Sequence, residues 1–455
     1  MCDLPGEIKR CLRSQEGSIS MVLGAGCSVE PPTSLPITKD CSNTAHDELV
    51  EDGILDEDDC SNPDDLSELA DVVKDKTGNQ TELVRRLPKR EFENCDPNRG
   101  HLISVALILE RKINYILTLN YDLSLRHANR DLKNGQKIPV IQGPENLAEL
   151  GDRGIVHLHR SANAEPEEWI LTTDDLEQID DWREVISRKA IGETVTIFAG
   201  LGSTVEILIN STQEINNIIP DQSEVYIVDI IDKEDSAYFN SLGLPEDNYQ
   251  QMSWCDFAKE IEKYTVKQQQ EELREKCNSI ASDENWDTEN INEIITILSE
   301  KGLINLGFIR GAWLQENRYF PWHEITVDWI AQLILGIDLL LQKTGFDIDF
   351  EKDGVIVFFD EDKTIRNLIV MHGRGKRWSQ IELEIEEKIK DKPTPRLPSD
   401  IIYTGVSGGD PDDISCPDNI SRGNQTSDVI SGWQPSYYNF NNLRHNPDKI
   451  SEVMK

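Results

Sequence analysis

"SISMVLGAGCSVEPP", residues 18–32, decides how the amino-terminal part of this chain folds. A dense apolar run ends in two glycines bracketing an alanine and then gives way to polar, proline-rich sequence. Such a run, bounded by glycine, reads as a strand buried on both faces. Glycine at its end lets the backbone turn sharply or approach a phosphate closely, with the amides of the following helix facing the negative charge. By itself the stretch allows two readings: a phosphate cradle with Ser28 as a donor, or a structural turn with Ser28 capping a helix.

Four further runs have the same form: "INYILTLN", "GIVHLH", "TVTIFAG" and "EVYIVDII", each rich in Val, Ile and Leu and each followed by Gly, Asn, His or Asp. Longer amphipathic stretches separate them between about residues 16 and 265. That alternation predicts an α/β domain with a doubly wound, Rossmann-like parallel sheet, whose ligand crevice lies at the carboxyl ends of the strands. The residues just after each run therefore become the site candidates.

After the second run, Thr118, Asn120 and Asp122 stand at alternate positions, which puts them on one side of an extended chain. Buried amide and carboxylate groups there need partners, which a ligand or a helix-capping turn before "LSLRHA" would supply. The third run brings His157 and His159, which share a parity, so periodicity does not choose between them. The fourth ends in Gly200, Gly202 and Ser203, and Asp229 ends the fifth at a position suited to ribose hydroxyls.

In that order, GAGCS, TLNYD, the histidine of HLHRS and AGLGS resemble the sirtuin-type NAD-binding domain, in the branch found in bacterial and archaeal NAD-degrading defence proteins. The likeness extends to "GHLISVALILERKINYILTLNYDLSLRHA" and "WILTTDDL" and covers about residues 16–265. It implies NAD as substrate, with the family's catalytic asparagine falling on Asn120, its neighbouring aspartate on Asp122 and its histidine on His159. His157 takes the variable position before it. Gly24, Ala25, Gly26 and Ser28 would hold the diphosphate, and Thr118, Gly200, Gly202, Ser203 and Asp229 complete the expected NAD-binding set. Arg160 stands where the family usually has glycine, with a side chain expected to crowd the pocket or pair with phosphate.

The expected activity is hydrolysis of NAD to nicotinamide and ADP-ribose, with Asp122 holding the carboxamide, Asn120 positioning the ribose and water, and His159 serving as base. Deacylating sirtuins carry a second lobe, commonly built round four zinc cysteines after the catalytic histidine. No cysteine occurs between Cys95 and Cys255 here, so no zinc is expected and water is the expected nucleophile. A non-catalytic NAD or ADP-ribose sensor and an NAD-dependent protein deacylase are the alternatives.

Acidic residues outnumber basic ones 84 to 46, for a formal charge of −38. That balance repels nucleic acid and anionic lipid, so neither non-specific nucleic-acid binding nor membrane association is expected. The acidity is spread along the chain, which suits solubility in concentrated salt and a halophilic source. The 9 cysteines include no CxxC pair, which indicates neither a disulfide framework nor a zinc knuckle. The first residues lack a signal-peptide core, and the longest apolar run, "WIAQLILGIDLLL" at 329–341, is interrupted by Gln332 and Asp338, so a cytoplasmic protein is expected.

The domain expectation is 1–265 for the NAD-degrading domain and 266–455 for a carboxyl-terminal α+β or α/β domain. In the latter, helices are expected at about 288–302 and 324–343, followed by a hairpin or meander in "DIDFEKDGVIVFFDEDKTIRNLIVMHG" and a Pro-, Gly- and Ser-rich stretch from about 392. The family resemblance implies anti-phage defence by NAD depletion, with 266–455 as a sensor, a surface for self-association or a docking site for a partner defence protein. "WIAQLILGIDLLL" reads as a buried helix ahead of an oligomer interface. His372, the small basic island "GRGKR" and the glycines of "YTGVSGGDPDD" read as surface loops ahead of a second nucleotide or metal site.

Overall fold

The computed structural model describes residues 4–14, 18–132, 138–178, 180–218, 223–283, 285–314, 318–360, 363–371, 401–404 and 436–439. Two compact units divide the chain, Met1–Tyr264 and Thr265–Lys455. A 30-residue helix, Trp254–Asp283, carries the chain from one into the other.

The first unit is built on a 7-stranded sheet: β1 Ile19–Leu23, β2 Ile113–Thr118, β3 Val140–Ile141, β4 Gly154–His157, β5 Val195–Ala199, β6 Glu224–Asp229 and β7 Tyr249–Gln251. Their spatial order is β3-β4-β2-β1-β5-β6-β7, and every neighbouring pair is parallel. This is a doubly wound α/β sheet. The five apolar runs in the sequence are β1, β2, β4, β5 and β6. β3 and β7 carry "VI" and "YQQ", too short to show a pattern.

From β1 the chain passes to β2, out to the edge strand β3 and back between them as β4, then crosses to β1's other flank as β5. The β1/β5 junction is therefore the topological switch point, where a crevice opens at the carboxyl ends of the strands. Register fixes those ends level: Leu23 pairs with both Thr118 and Ala199, Thr118 with His157, and Ala199 with Val228.

All residues of β1, β4 and β5 are buried. Helices supply the cover: Val22, Leu117, Val156 and Phe198 pack in one cluster with Ile186, Ala190 and Leu208 from helices Asp181–Ile191 and Glu206–Ile218. Between β1 and β2 the chain builds a helical lobe of Thr38–Glu51, Leu66–Thr77, Thr81–Val84 and Lys89–Asn94. Leu49, Leu69, Val73, Leu83, Phe92 and Trp169 form its separate core.

The second unit holds helices Ile291–Ser299, Gly302–Trp313 and Glu324–Thr344 and a 5-stranded sheet. Its strands are β8 Asp347–Phe350, β9 Val355–Asp360, β10 Lys363–Met371, β11 Ile401–Thr404 and β12 Ser436–Asn439. β8, β9 and β10 form the antiparallel meander, and β11 and β12 extend it in parallel. "WIAQLILGIDLLL" lies in the third helix with Ile330, Leu333, Ile334 and Ile337 buried. Asp338 is buried with them because Asn290 N–H, Asn290 Nδ2 and Gln342 Nε2 all donate to its carboxylate. No helix among the described residues is long and apolar enough to cross a membrane. His372, "GRGKR" and most of "YTGVSGGDPDD" lie outside the described residues.

At the switch point the two glycine turns interlock. Gly24 N–H donates to Ala199 O and Gly26 N–H to Gly200 O, each at 2.9 Å. A Cβ on Gly200, whose φ is +63°, would lie 2.6 Å from Cys27 N. A Cβ on Gly202 would meet nothing within 4 Å. Gly200→Ala is therefore expected to cost about 2–3 kcal/mol in urea unfolding, because the obstructing atoms are backbone and the conformation disfavours a side chain. Gly202→Ala should stay within about 0.5 kcal/mol; equal losses at both positions would contradict the interlock.

Candidate active site

Turns leaving five strands line one cavity of about 1060 Å³. Gly24, Ala25, Gly26 and Ser28 come from the end of β1, Asn120 and Asp122 from β2, and His159 from β4. Gly200, Gly202 and Ser203 follow β5, and Asp229 ends β6. Thr118 is not in this lining. β2 stops at Thr118, so the alternation that grouped it with Asn120 and Asp122 does not extend past the strand; its buried Oγ1 instead accepts the Asn120 N–H at 3.0 Å.

Asn120, Asp122 and Ser28 form one hydrogen-bonded network. Ser28 Oγ donates to Asp122 Oδ2 at 2.8 Å, while Asn120 Nδ2 donates to Gly24 O at 3.0 Å and to Ser28 Oγ at 3.2 Å. Asp122 Oδ1 accepts the Ser124 N–H at 2.9 Å, at the start of helix Ser124–Asp131. The β2 turn thus faces the cavity and fixes the following helix at once. Ser28 caps no helix: Ala25–Ser28 is a four-residue 3₁₀ turn rather than the expected helix start.

Asn98 has no counterpart in the sequence reading. It is fully buried; its Nδ2 donates to Cys27 O at 2.8 Å and its Oδ1 accepts the His101 N–H at the start of helix Arg99–Leu109. One side chain thereby ties the β1 turn to the helix that feeds β2. The signal available was an N-cap residue before the apolar helix "GHLISVALIL". The helical lobe was missed as well, although Leu66, Leu69, Ala70 and Val73 recur at helical spacing; Leu35, Leu66, Phe92 and Leu171 from this region line the cavity.

The two histidines separate because β4 ends at His157. His157 is fully buried and pairs through Nδ1 with Asn120 O at 3.1 Å. A carbonyl only accepts, so Nδ1 carries the proton and the ring supports the Asn120 turn. His159 lies beyond a turn and lines the cavity, with Tyr121 at 6.5 Å centroid separation. Tyr121 in turn stacks on Trp169 at 4.3 Å and donates its hydroxyl to Ile170 O. His159 Nε2 is buried without a hydrogen-bond partner among the described residues.

Arg160 neither crowds the cavity nor points at it. Its Nη1 donates to Gln142 O at 3.1 Å and pairs with Glu145 at 3.2 Å. Its φ is +72°, the left-handed region that favours glycine. The arginine has kept the turn and sent its side chain elsewhere.

Burial disfavours a charged imidazole, so His159 is held down to about 3, with nearby Arg183 adding to the effect. Burial lowers His157 and His101 in the same direction. Desolvation has the opposite effect on the half-buried Asp229 carboxyl, which is pushed up even though its Oδ1 accepts the Ile230 N–H. Among the described residues no group of three or more His, Cys, Asp and Glu is arranged to hold a metal ion.

No protein-family model and no curated protein matches the chain. Among solved structures the chain is similar to a Sir2 homologue in complex with NAD, at 13% identity, covering 58% of this chain and 94% of that one, with a TM-score of 0.39. It is similar also to a Sir2 homologue mutant in complex with ADP-ribose, at 14% identity, covering 58% and 97%, with a TM-score of 0.35. For Sir2 bound to an acetylated peptide the figures are 12%, 56% and 95%, and 0.33.

The lowered histidines set a stability slope. A folded-state pKa below the unfolded value of about 6.5 means that the unfolded chain takes up protons first as pH falls, so stability is complete above about 6.5 and declines below it. For His159 that window runs from about 6.5 down to about 3. His159→Gln should remove up to about 1.4 kcal/mol per pH unit from the acid-side slope of urea stability. An unchanged slope between about pH 6 and 5 would mean that His159 is not held neutral by burial.

Proposed function

We propose that the first unit hydrolyses NAD to nicotinamide and ADP-ribose. The observation that carries this reading is the convergence of Ser28, Asn120, Asp122 and His159 on one cavity of about 1060 Å³, whose other walls are the interlocked glycine turns and Asp229. A pocket of this size and make-up suits a dinucleotide. The four motifs that resemble the sirtuin-type domain supply the chemical assignment.

In this reading the diphosphate lies against the β5 turn at Gly202 and Ser203, since the Gly24, Gly26 and Gly200 N–H groups are already engaged with backbone carbonyls. Asp229 takes ribose hydroxyls, Asp122 the carboxamide, and Asn120 the nicotinamide ribose and the attacking water. The bond between ribose C1′ and the pyridinium nitrogen breaks with its electron pair going to nitrogen, which leaves neutral nicotinamide and an oxocarbenium-like ribosyl group. Water forms the new bond to C1′, and its proton passes to His159 Nε2 and then to solvent. Because Ser28 Oγ is engaged with Asp122 and Asn120, it acts by holding their orientation rather than as a free phosphate ligand.

We assign this activity to a regulated, cytoplasmic NAD-depleting effector of anti-phage defence, with residues 266–455 as its control element. That assignment rests on the motif resemblance.

Incubation of the purified protein with NAD in molar potassium chloride is expected to release nicotinamide and ADP-ribose in equal amounts. Asn120→Ala should lower the rate on the order of 10²-fold or more while the nucleotide still binds, since the lost contacts orient reacting groups. Binding of NAD with no nicotinamide release under any condition would favour a sensor and end the hydrolase reading. With the free-enzyme imidazole at about 3, kcat/KM should show no acid limb near pH 6.5 and stay level from about pH 8 to 5. A limb centred near 6.5 would show that the essential base titrates as an ordinary imidazole and that burial does not hold His159 down.

A further inference from the structure

The charges around the cavity are one-sided. Besides Asp122, the carboxylate residues Glu30, Asp64, Asp65, Glu177, Glu206 and Asp229 contribute to its lining. Among the described residues that line it, Lys39 is the one lysine or arginine, and its Nζ is 2.5 Å from Asp64 Oδ2. The two arginines associated with His159 are committed elsewhere. Arg183 donates to Asp175 O and Gln178 O, Arg160 is bound to Gln142 O and Glu145, and neither lines the cavity. Leu35, Leu66, Phe92 and Leu171 supply low-dielectric walls, which focus a field of one sign instead of dispersing it.

A diphosphate brings two negative charges into that field. The cationic pyridinium ring of NAD offsets one of them; NADH and ADP-ribose carry no such offset. Resting on the NAD reading above, the geometry points to a site that selects its ligand by charge: it favours the dinucleotide with the cationic ring over its reduced form and over the hydrolysis product, and its affinity for those anionic forms rises with salt. The same field stabilises the positive charge that develops on the ribosyl group and weakens the hold on ADP-ribose once nicotinamide has left. Sites that grip phosphate with lysine or arginine behave oppositely, losing affinity as salt is added.

Titration calorimetry on the full chain tests this with carba-NAD, which keeps the cationic ring on a bond that is not cleaved, and with NADH and ADP-ribose. Between about 0.1 M and 2 M potassium chloride the dissociation constants of NADH and ADP-ribose should fall roughly tenfold and that of carba-NAD roughly threefold, in proportion to net charge. Asp64→Asn releases Lys39 from its partner at an exposed position. At low salt it should tighten ADP-ribose about threefold and carba-NAD by less than about twofold. Glu214→Gln, which makes the same charge change at a pair with Arg188 outside the cavity, should leave the salt dependence unchanged.

If NAD is bound and cleaved but ADP-ribose affinity falls with salt, or if Asp64→Asn affects both ligands equally, charge selection is overturned and the hydrolase reading stands. If none of the three ligands binds at any salt concentration, both are overturned.

Discussion

Two backbone hydrogen bonds, Gly24 N–H to Ala199 O and Gly26 N–H to Gly200 O, join the turns that leave β1 and β5. They form only because neither turn has side chains in the way: a Cβ on Gly24 would lie 2.5 Å from Gly200 O, and one on Gly26 2.8 Å from Gly200 Cα. The switch point of a doubly wound sheet leaves a gap between diverging connections. Here that gap is closed at its base by backbone against backbone, so it forms a defined floor. The glycines of "GAGCS" and "AGLG" are required by each other before any ligand enters.

From that floor the β1 turn is held on a second side. Asn120 Nδ2 reaches Gly24 O, and Asn98 Nδ2 reaches Cys27 O. Both donors are buried amides whose remaining polar atoms would be costly to leave unmet. The β1 turn, the β2 turn and the start of helix Arg99–Leu109 therefore behave as one unit. A shift in Asn120 would strain Gly24, Ser28 and, through its carbonyl, His157. Residues grouped by chemistry as a catalytic set are also a structural set, so stability and activity at these positions should be read together.

The sheet was legible because a strand covered by helices on both faces must be apolar at nearly every position, and five runs met that condition. Their ends were legible too, since the cavity residues stand where those runs stop. Side-chain direction beyond the ends was not. Alternation holds only while the backbone is extended, and it failed at Thr118 and again at His157, where the chain turns. The parity shared by His157 and His159 thus carried no information, and their difference in environment comes from a turn with Arg160 at φ +72°. The helical lobe stayed hidden for another reason. Two of its four helices, Thr81–Val84 and Lys89–Asn94, are too short to establish a period, whereas the helical spacing within Leu66–Thr77 was legible and was passed over.

That lobe borders the site. Tyr121, stacked on Trp169, lies beside His159 at the cavity wall, and burial there disfavours the charged imidazole. As the base of the proposed hydrolysis, an imidazole held low by burial gives up driving force for proton transfer but stays neutral near pH 7. Such a compromise suits a reaction in which the leaving group already carries the positive charge: departure of neutral nicotinamide needs no acid, and water attacks a ribosyl group so electron-poor that a weak acceptor for its proton is enough. The unpartnered Nε2 and a cationic leaving group are therefore consistent parts of the proposed hydrolysis, in which a strongly basic histidine at this position would add little.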